Sequence, residues 1–363
     1  MKIAIWTNMP NHYQSAFHAA LRARGVDLVV RYYYPGVPTD RIAMGWETGN
    51  ALPEGSKFLL DNWTLETAIP DWKTRIHIMP GYGDRILWPV LDALIESKTP
   101  WAHWSEPSRP SIRRLFNWAI KRRYARKVNE HALGAFGIGA AALRDFVSWG
   151  MRREKLAMLP YSAPQYDLNT PPDSACQTFR NGQLAFLFAG SLCHRKGIDV
   201  LLKAFAKATS ESRNVVLILV GNDSSHGRYL AMAEDLKISD RVLFRGPISP
   251  ELLGSAFAAC DVFVLPSRFD GWGVALNEAA LMGRALIATT SVGAAEHMIE
   301  PGQNGFRVHA GDVRGLQAAL QTYILRPELA HQHGERSLRV SQFFTPSQNC
   351  LRFQQGIQTW RAM

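Results

Sequence analysis

No run of 18 or more apolar residues occurs in the 363-residue sequence, so no segment reads as a transmembrane helix. The start, Met1-Lys2-Ile3-Ala4-Ile5-Trp6, leads straight into a strand pattern, which predicts no signal peptide. Cysteine is scarce. Cys176, Cys193, Cys260 and Cys350 lack metal-ligand spacing, which argues against a zinc site and predicts reduced thiols in a cytoplasmic protein. Acidic residues are outnumbered, 31 against 41 basic, for a formal net charge of +10. A basic chain is a candidate for nucleic acid, but helix-turn-helix, zinc and RNA-recognition signatures are all missing beside its basic segment. The reading is therefore no nucleic-acid partner.

What is present points to a globular α/β protein. A hydrophobic content of 47% with 11 tryptophans supports folding throughout, and the length suits two domains. In the first half, apolar strand patterns over 2–6, 27–34, 75–79 and 100–104 alternate with helical patterns over 13–24 and 85–97, as in a doubly wound domain. Leu159-Pro160-Tyr161-Ser162-Ala163-Pro164 marks its end, and the Pro-, Asp-, Ser- and Thr-rich stretch through Ser174 reads as a linker. The predicted domains are 1–164 and 175–345.

Two strand-to-helix turns in the second half carry chemistry. Asp261 to Ser267 reads as a buried parallel strand, followed by Asp270-Gly271-Trp272-Gly273-Val274-Ala275-Leu276-Asn277-Glu278. Asp270 then falls at the carboxyl end of the strand, with Glu278 about two turns into the next helix, where open α/β sheets bind ligands. Glycines at 271 and 273 let backbone amides approach an anion closely. Upstream, the strand Phe186-Leu187-Phe188-Ala189-Gly190 runs into Ser191-Leu192-Cys193-His194-Arg195-Lys196-Gly197 before a second helix. Arg195 and Lys196 are suited to a diphosphate, one as a planar fork and one as a point charge. Taken singly, the Asp270–Glu278 turn also fits a favourable helix-start charge, and an isolated Arg-Lys pair is more commonly a solvated basic turn. Their repetition is what a nucleotide held across several strand ends requires.

These residues resemble the donor half of the family-4 retaining glycosyltransferases, whose signature sets an acid and a Glu eight positions apart around a Gly-aromatic-Gly turn. Here Asp270 stands in place of the usual Glu, Trp272 in place of Phe, and Ser191 where many members have Arg. The likeness extends through Val216–Gly221, Val242–Ile248, Ala285–Thr289, Gly293, Glu296 and Asn304–Phe306, so it covers nearly all of 184–310. It implies a GT-B fold, two Rossmann-like doubly wound domains facing across a cleft, with residues 346–363 as a helix packing back on the first domain. It implies a donor site at Gly190, Arg195, Lys196, Gly221, Arg245, Ile248, Gly271, Trp272, Gly273, Val274 and Glu278 for a UDP- or GDP-sugar, with no metal and no cofactor; the sequence has no Asp-x-Asp pair. Asp270 would hold the sugar, and Glu106 or His103 would contact it from the first domain. The acceptor would meet Asn11, His12 and Tyr13. The activity implied is retaining transfer to a hydroxyl of a glycan or lipid-linked acceptor of polysaccharide or lipopolysaccharide type. Other readings are a non-catalytic nucleotide-sugar binding subunit, a natural-product glycosyltransferase, and an epimerase or phosphorylase on the same fold.

Residues Arg109 to Lys127 hold eight basic residues and no acid. On a helix, Trp118 lies within three or four positions of Arg114, Lys121 and Arg122. Cations around an aromatic ring suit an anionic membrane surface, which predicts peripheral association with the inner face of the cell membrane. A solvated helix face and an anionic acceptor groove fit the same pattern.

Overall fold

The computed structural model describes the chain except residues 35, 37–51, 53, 60–61, 82, 110–113 and 213, and the side chains of 114–117. The chain divides into two compact units, one of Met1–Pro38, Glu47–Ser162 and Pro346–Met363, the other comprising Ala163–Thr345. The Pro-rich stretch up to Ser174 clusters with the second unit.

In the first unit the strands are β1 (Lys2–Thr7), β2 (Asp27–Tyr32), β3 (Ser56–Phe58), β4 (Ile76–Met79), β5 (Trp101–Ser105), β6 (Gly134–Gly137) and β7 (Leu156–Met158). They form one sheet in the order β3-β2-β1-β4-β5-β6-β7, with every pairing parallel. Parallel strands are covered by helices on both faces and read as continuous apolar runs; Ile3, Ala4, Ile5 and Trp6 of β1 are all buried accordingly. The edge strand β3 and the short β6 and β7 were not foreseen. Ser-Lys-Phe and Gly-Ala-Phe-Gly are too short and too poor in β-branched residues to show a strand pattern.

The helix Pro346–Arg361 belongs to this same unit. Its Trp360 ring packs 4.6 Å from Phe136 and its Phe353 ring 5.4 Å from it. Asn349 Nδ2 donates to the Pro160 carbonyl at 2.6 Å.

The second unit contains β8 (Leu184–Ala189), β9 (Val215–Val220), β10 (Val242–Gly246), β11 (Val262–Leu265), β12 (Ala285–Thr289) and β13 (Gly305–Val308). Their order, β10-β9-β8-β11-β12-β13, is again all parallel. In both sheets the first and fourth strands of the unit are neighbours. Successive connections leave in opposite directions there, opening a crevice at the carboxyl ends. Among the described residues, no helix is long and apolar enough to cross a membrane.

Candidate functional site

The crevice of the second unit lies between β8 and β11, and both chemistry-bearing turns emerge at it. After β8 the backbone passes through Gly190 at φ 144°, and beside it β9 is followed by Gly221 at φ 139°. A Cβ on Gly221 would lie 1.9 Å from the Gly190 carbonyl oxygen, so only glycine fits that approach. The turn His194–Lys196 follows and closes at Gly197, φ 73°, where a Cβ would stand 2.2 Å from the Pro266 carbonyl oxygen. This close packing of two loops carries Lys196 over Gly190 and against Asp270. Lys196 Nζ donates to Asp270 Oδ2 at 2.5 Å, the two side chains 13% and 15% exposed. Arg195 Nη1 sits 3.7 Å from Asp270 Oδ1 and donates to the Phe269 carbonyl at 3.0 Å.

Asp270 is fixed through its backbone, which donates to Ser291 O and accepts from Gly293 N, both at 3.0 Å. Gly273, φ 90°, then opens the helix Val274–Leu281. Glu278 is the fifth residue of that helix, a little over one turn in rather than two, and is 2% exposed. It accepts a hydrogen bond from the Tyr166 hydroxyl at 2.9 Å. Burial and the neighbouring carboxylate push the Tyr166 hydroxyl far above its ordinary pKa, so it stays a donor. Tyr166 escaped the sequence reading because its segment has no periodicity; its ring is seated on Gly254, where a Cβ would approach to 2.9 Å.

Two expected donor contacts are placed otherwise. The Trp272 side chain is 0% exposed and packs against His297 and Phe344 at 5.6 and 6.0 Å between ring centroids. The largest apolar side chain of the turn goes to the interior, so only the backbone of 272 remains for a ligand. Arg245 forks onto Asp173, Nε and Nη2 each 2.9 Å from a carboxylate oxygen, and holds that carboxyl well below the usual range. That fork serves the fold. Ile248 lies half-buried two residues past Gly246, and Val274 half-buried at the helix start.

In the first unit, Asn11 caps the helix His12–Ala23, its Oδ1 accepting from Gln14 N at 2.8 Å and its Nδ2 donating to Gln14 Oε1 at 2.7 Å. His12 meets the edge of Tyr13 at 5.4 Å, and Tyr13 tilts against Tyr161 at 4.9 Å. His103, expected to touch a sugar, is 0% exposed. Its Nδ1 pairs with the Tyr124 hydroxyl at 2.9 Å and its Nε2 with Ser105 Oγ at 2.8 Å. Burial lowers it to about 3, so it is neutral at ordinary pH. The groups at the surface here are the half-buried Ser105 and the exposed Glu106. Strand alternation explains this: 103 and 105 share a face, but only the strand's last residue emerges.

The basic segment forms the helix Arg114–His131, with Arg113 outside the described residues. Trp118 is 52% exposed, and the Arg122 guanidinium stacks 4.8 Å from its ring. Arg109, Arg123 and Arg126 are exposed. Lys121 instead turns to Ser108 Oγ at 2.6 Å and the Trp149 ring at 4.9 Å, and Lys127 pairs with Asp92 at 2.6 Å.

Residues 171–339 match the family model described as glycosyl transferases group 1. The chain is 29% identical over 157 residues to the lipopolysaccharide core biosynthesis mannosyltransferase LpcC of Rhizobium leguminosarum bv. viciae, covering 41% of this chain and 43% of that one. It is 31% identical over 169 residues to a D-inositol 3-phosphate glycosyltransferase of Streptomyces coelicolor, covering 44% and 36%. The chain thus spans less than half the length of these curated relatives. Among solved structures, Anabaena HepE in complex with UDP superposes with a TM-score of 0.76 at 17% identity, over 99% of this chain and 100% of that one. A buried parallel sheet ending in a lysine–aspartate pair and a helix-borne glutamate therefore lies within the stretch that matches the group 1 glycosyl transferase model, residues 171–339, in a chain with the GT-B fold of two Rossmann-like units.

Proposed function

We propose that the protein transfers a glycosyl group from a UDP- or GDP-sugar to a hydroxyl of a glycan or lipid-linked acceptor, with retention of anomeric configuration and without a divalent metal. The observation that carries this reading is the Lys196–Asp270 pair at the β8/β11 crevice, with Glu278 on the next helix. As the bond from the anomeric carbon to the diphosphate breaks, negative charge gathers on the leaving group. Lys196, Arg195 and the amides of Gly271 and Gly273 are the groups to receive it. When Lys196 turns to the phosphate, the Asp270 carboxylate is released to accept hydroxyls of the sugar. Glu278 accepts from the ribose. Ser105 and Glu106, at the carboxyl end of β5, are the first unit's groups for the sugar, and Asn11, His12 and Tyr13 its groups for the acceptor.

The name of the Rhizobium relative, a lipopolysaccharide core mannosyltransferase, favours an acceptor of the cell-surface class. The exposed Trp118–Arg122 pair with Arg123 and Arg126 fits an anionic membrane surface that would present such an acceptor. A thermal-shift screen against UDP-, GDP- and ADP-sugars tests the donor reading, since ligand binding to the folded state raises the midpoint. A shift with a UDP- or GDP-sugar that Lys196→Ala and Glu278→Ala both remove is expected. No shift with any of them refutes the donor reading. A shift without transfer to any acceptor favours the non-catalytic binding subunit.

A further inference from the structure

The cationic turn has almost no regular structure of its own. A single 3₁₀ turn, His194–Lys196, followed by a left-handed glycine is a weak scaffold for a lysine whose ammonium must meet a phosphate. What holds it is the neighbouring loop, and one residue there makes most of the links. Arg268 Nη1 and Nη2 donate to Asp199 Oδ1 and Oδ2, both at 2.7 Å. The same Nη1 donates to the His194 carbonyl at 2.7 Å, and the Arg268 backbone amide donates to the Arg195 carbonyl at 2.8 Å. The two carbonyls immediately before Lys196 are thereby tied to one side chain and its own amide. Arg195 returns a bond to the Phe269 carbonyl, and Gly197 permits the contact with Pro266.

Resting on the donor reading above, we propose that Arg268 and Asp199 are positioning residues: their bidentate pair clamps the 194–197 turn onto the 266–270 loop and so sets where Lys196 stands for the diphosphate. Arg268 itself is not a ligand. Its charge is matched by Asp199, and its Nη1 and Nη2 are engaged with Asp199 and the His194 carbonyl. Asp199, second residue of the helix Ile198–Ala208, is held below its usual carboxylate range by Arg268 and also meets the positive end of that helix. A lysine at 268 would keep the charge but lose the planar fork that serves both carboxylate oxygens and the carbonyl at once.

The test is calorimetric titration of wild type, Arg268→Ala, Arg268→Lys and Asp199→Asn with UDP, UMP, GDP and GMP, with circular dichroism confirming the fold. Wild type is expected to bind one diphosphate more tightly than its monophosphate. Each variant is expected to weaken that diphosphate about tenfold or more while changing the monophosphate less than about threefold. The double variant Arg268→Ala/Asp199→Ala should be no worse than Arg268→Ala, because the pair acts as a unit. Diphosphate affinity unchanged in a folded variant, or equal loss on both ligands, overturns the positioning role. If Arg268→Ala does not fold, Asp199→Asn and Arg268→Lys give the same readout. A wild type that binds none of the four nucleotides overturns the donor reading itself, and this inference with it.

Discussion

Two residues before the carboxyl end of β5 in the first unit, His103 is sealed beneath the surface and bonded on both ring nitrogens. At the end of β11 in the second, an aspartate and a lysine meet in a half-open crevice. His103 lies near the carboxyl end of its strand and the Lys196–Asp270 pair in the loops beyond theirs, in similarly ordered parallel sheets. Topology therefore supplies the place, and burial decides the chemistry. The first unit buries neutral imidazoles: His18 and His103 are lowered to about 3 and His77 to about 4, in each case chiefly by desolvation. The second unit pairs its partly buried charges, Lys196 with Asp270, Arg268 with Asp199 and Arg245 with Asp173, and its buried His333 is shifted in the same direction as the first unit's imidazoles.

Acid is the strongest way to break this contrast. A histidine whose folded pKa lies below its unfolded value near 6.5 binds fewer protons when folded, so its contribution is whole above 6.5 and lost as pH falls toward 3–4. Each of the three is expected to remove up to about 1.4 kcal/mol per pH unit within that window, several kcal/mol together by pH 4.5. Hydrogen exchange resolved by peptide should show the first unit opening before the second between pH 6 and 4.5. Simultaneous opening would remove the distinction.

The next effect is catalytic. Lys196→Ala and Glu278→Ala should each lower kcat/KM on the order of 10²–10³-fold per folded enzyme, and Glu278→Ala should also lose about 1–3 kcal/mol of stability because it leaves the partly buried Tyr166 hydroxyl without its acceptor. His103→Gln should instead act mainly on stability, by about 1–3 kcal/mol. Comparable loss of turnover per folded enzyme in His103→Gln would bring the first unit's histidine back into the chemistry. Gly221→Ala probes the scaffold: with φ at 139° and the Gly190 carbonyl 1.9 Å from the new methyl, a loss of about 2–4 kcal/mol is expected in chemical denaturation. The smallest effect belongs to the surface. Trp118→Ala with Arg122→Ala should weaken sedimentation with vesicles containing phosphatidylglycerol by about 1–2 kcal/mol, and 0.5 M salt should weaken the wild type likewise. Wild type that ignores such vesicles at low salt would dismiss the membrane reading.

Much of this was legible in the residues. The strands expected over 2–6, 186–190 and 261–267 appear as β1, β8 and β11 with differences of a few end residues. The juxtaposition of Lys196 and Asp270 followed from two strand-to-helix turns and the rule that such ends gather at one crevice. The direction of each side chain was not legible. Trp272 reads as a ligand contact in the motif and folds inward, because its ring finds His297 and Phe344 from segments 25 and 72 positions away. Arg245 reads as a free donor and is taken by Asp173. Tyr166 and Arg268 carry no motif, yet one bonds Glu278 and the other ties down the lysine turn.

The order of apolar runs, glycines and charges was enough by itself to determine two doubly wound sheets and the pair of charged, glycine-rich turns that meet beyond β8 and β11, since these depend on period, spacing and local backbone freedom. Which acids and bases stay exposed, which are neutralised and which partner holds each one was decided only in the folded chain. Desolvation and hydrogen bonding act between atoms that are close in space, and no spacing along the chain records them.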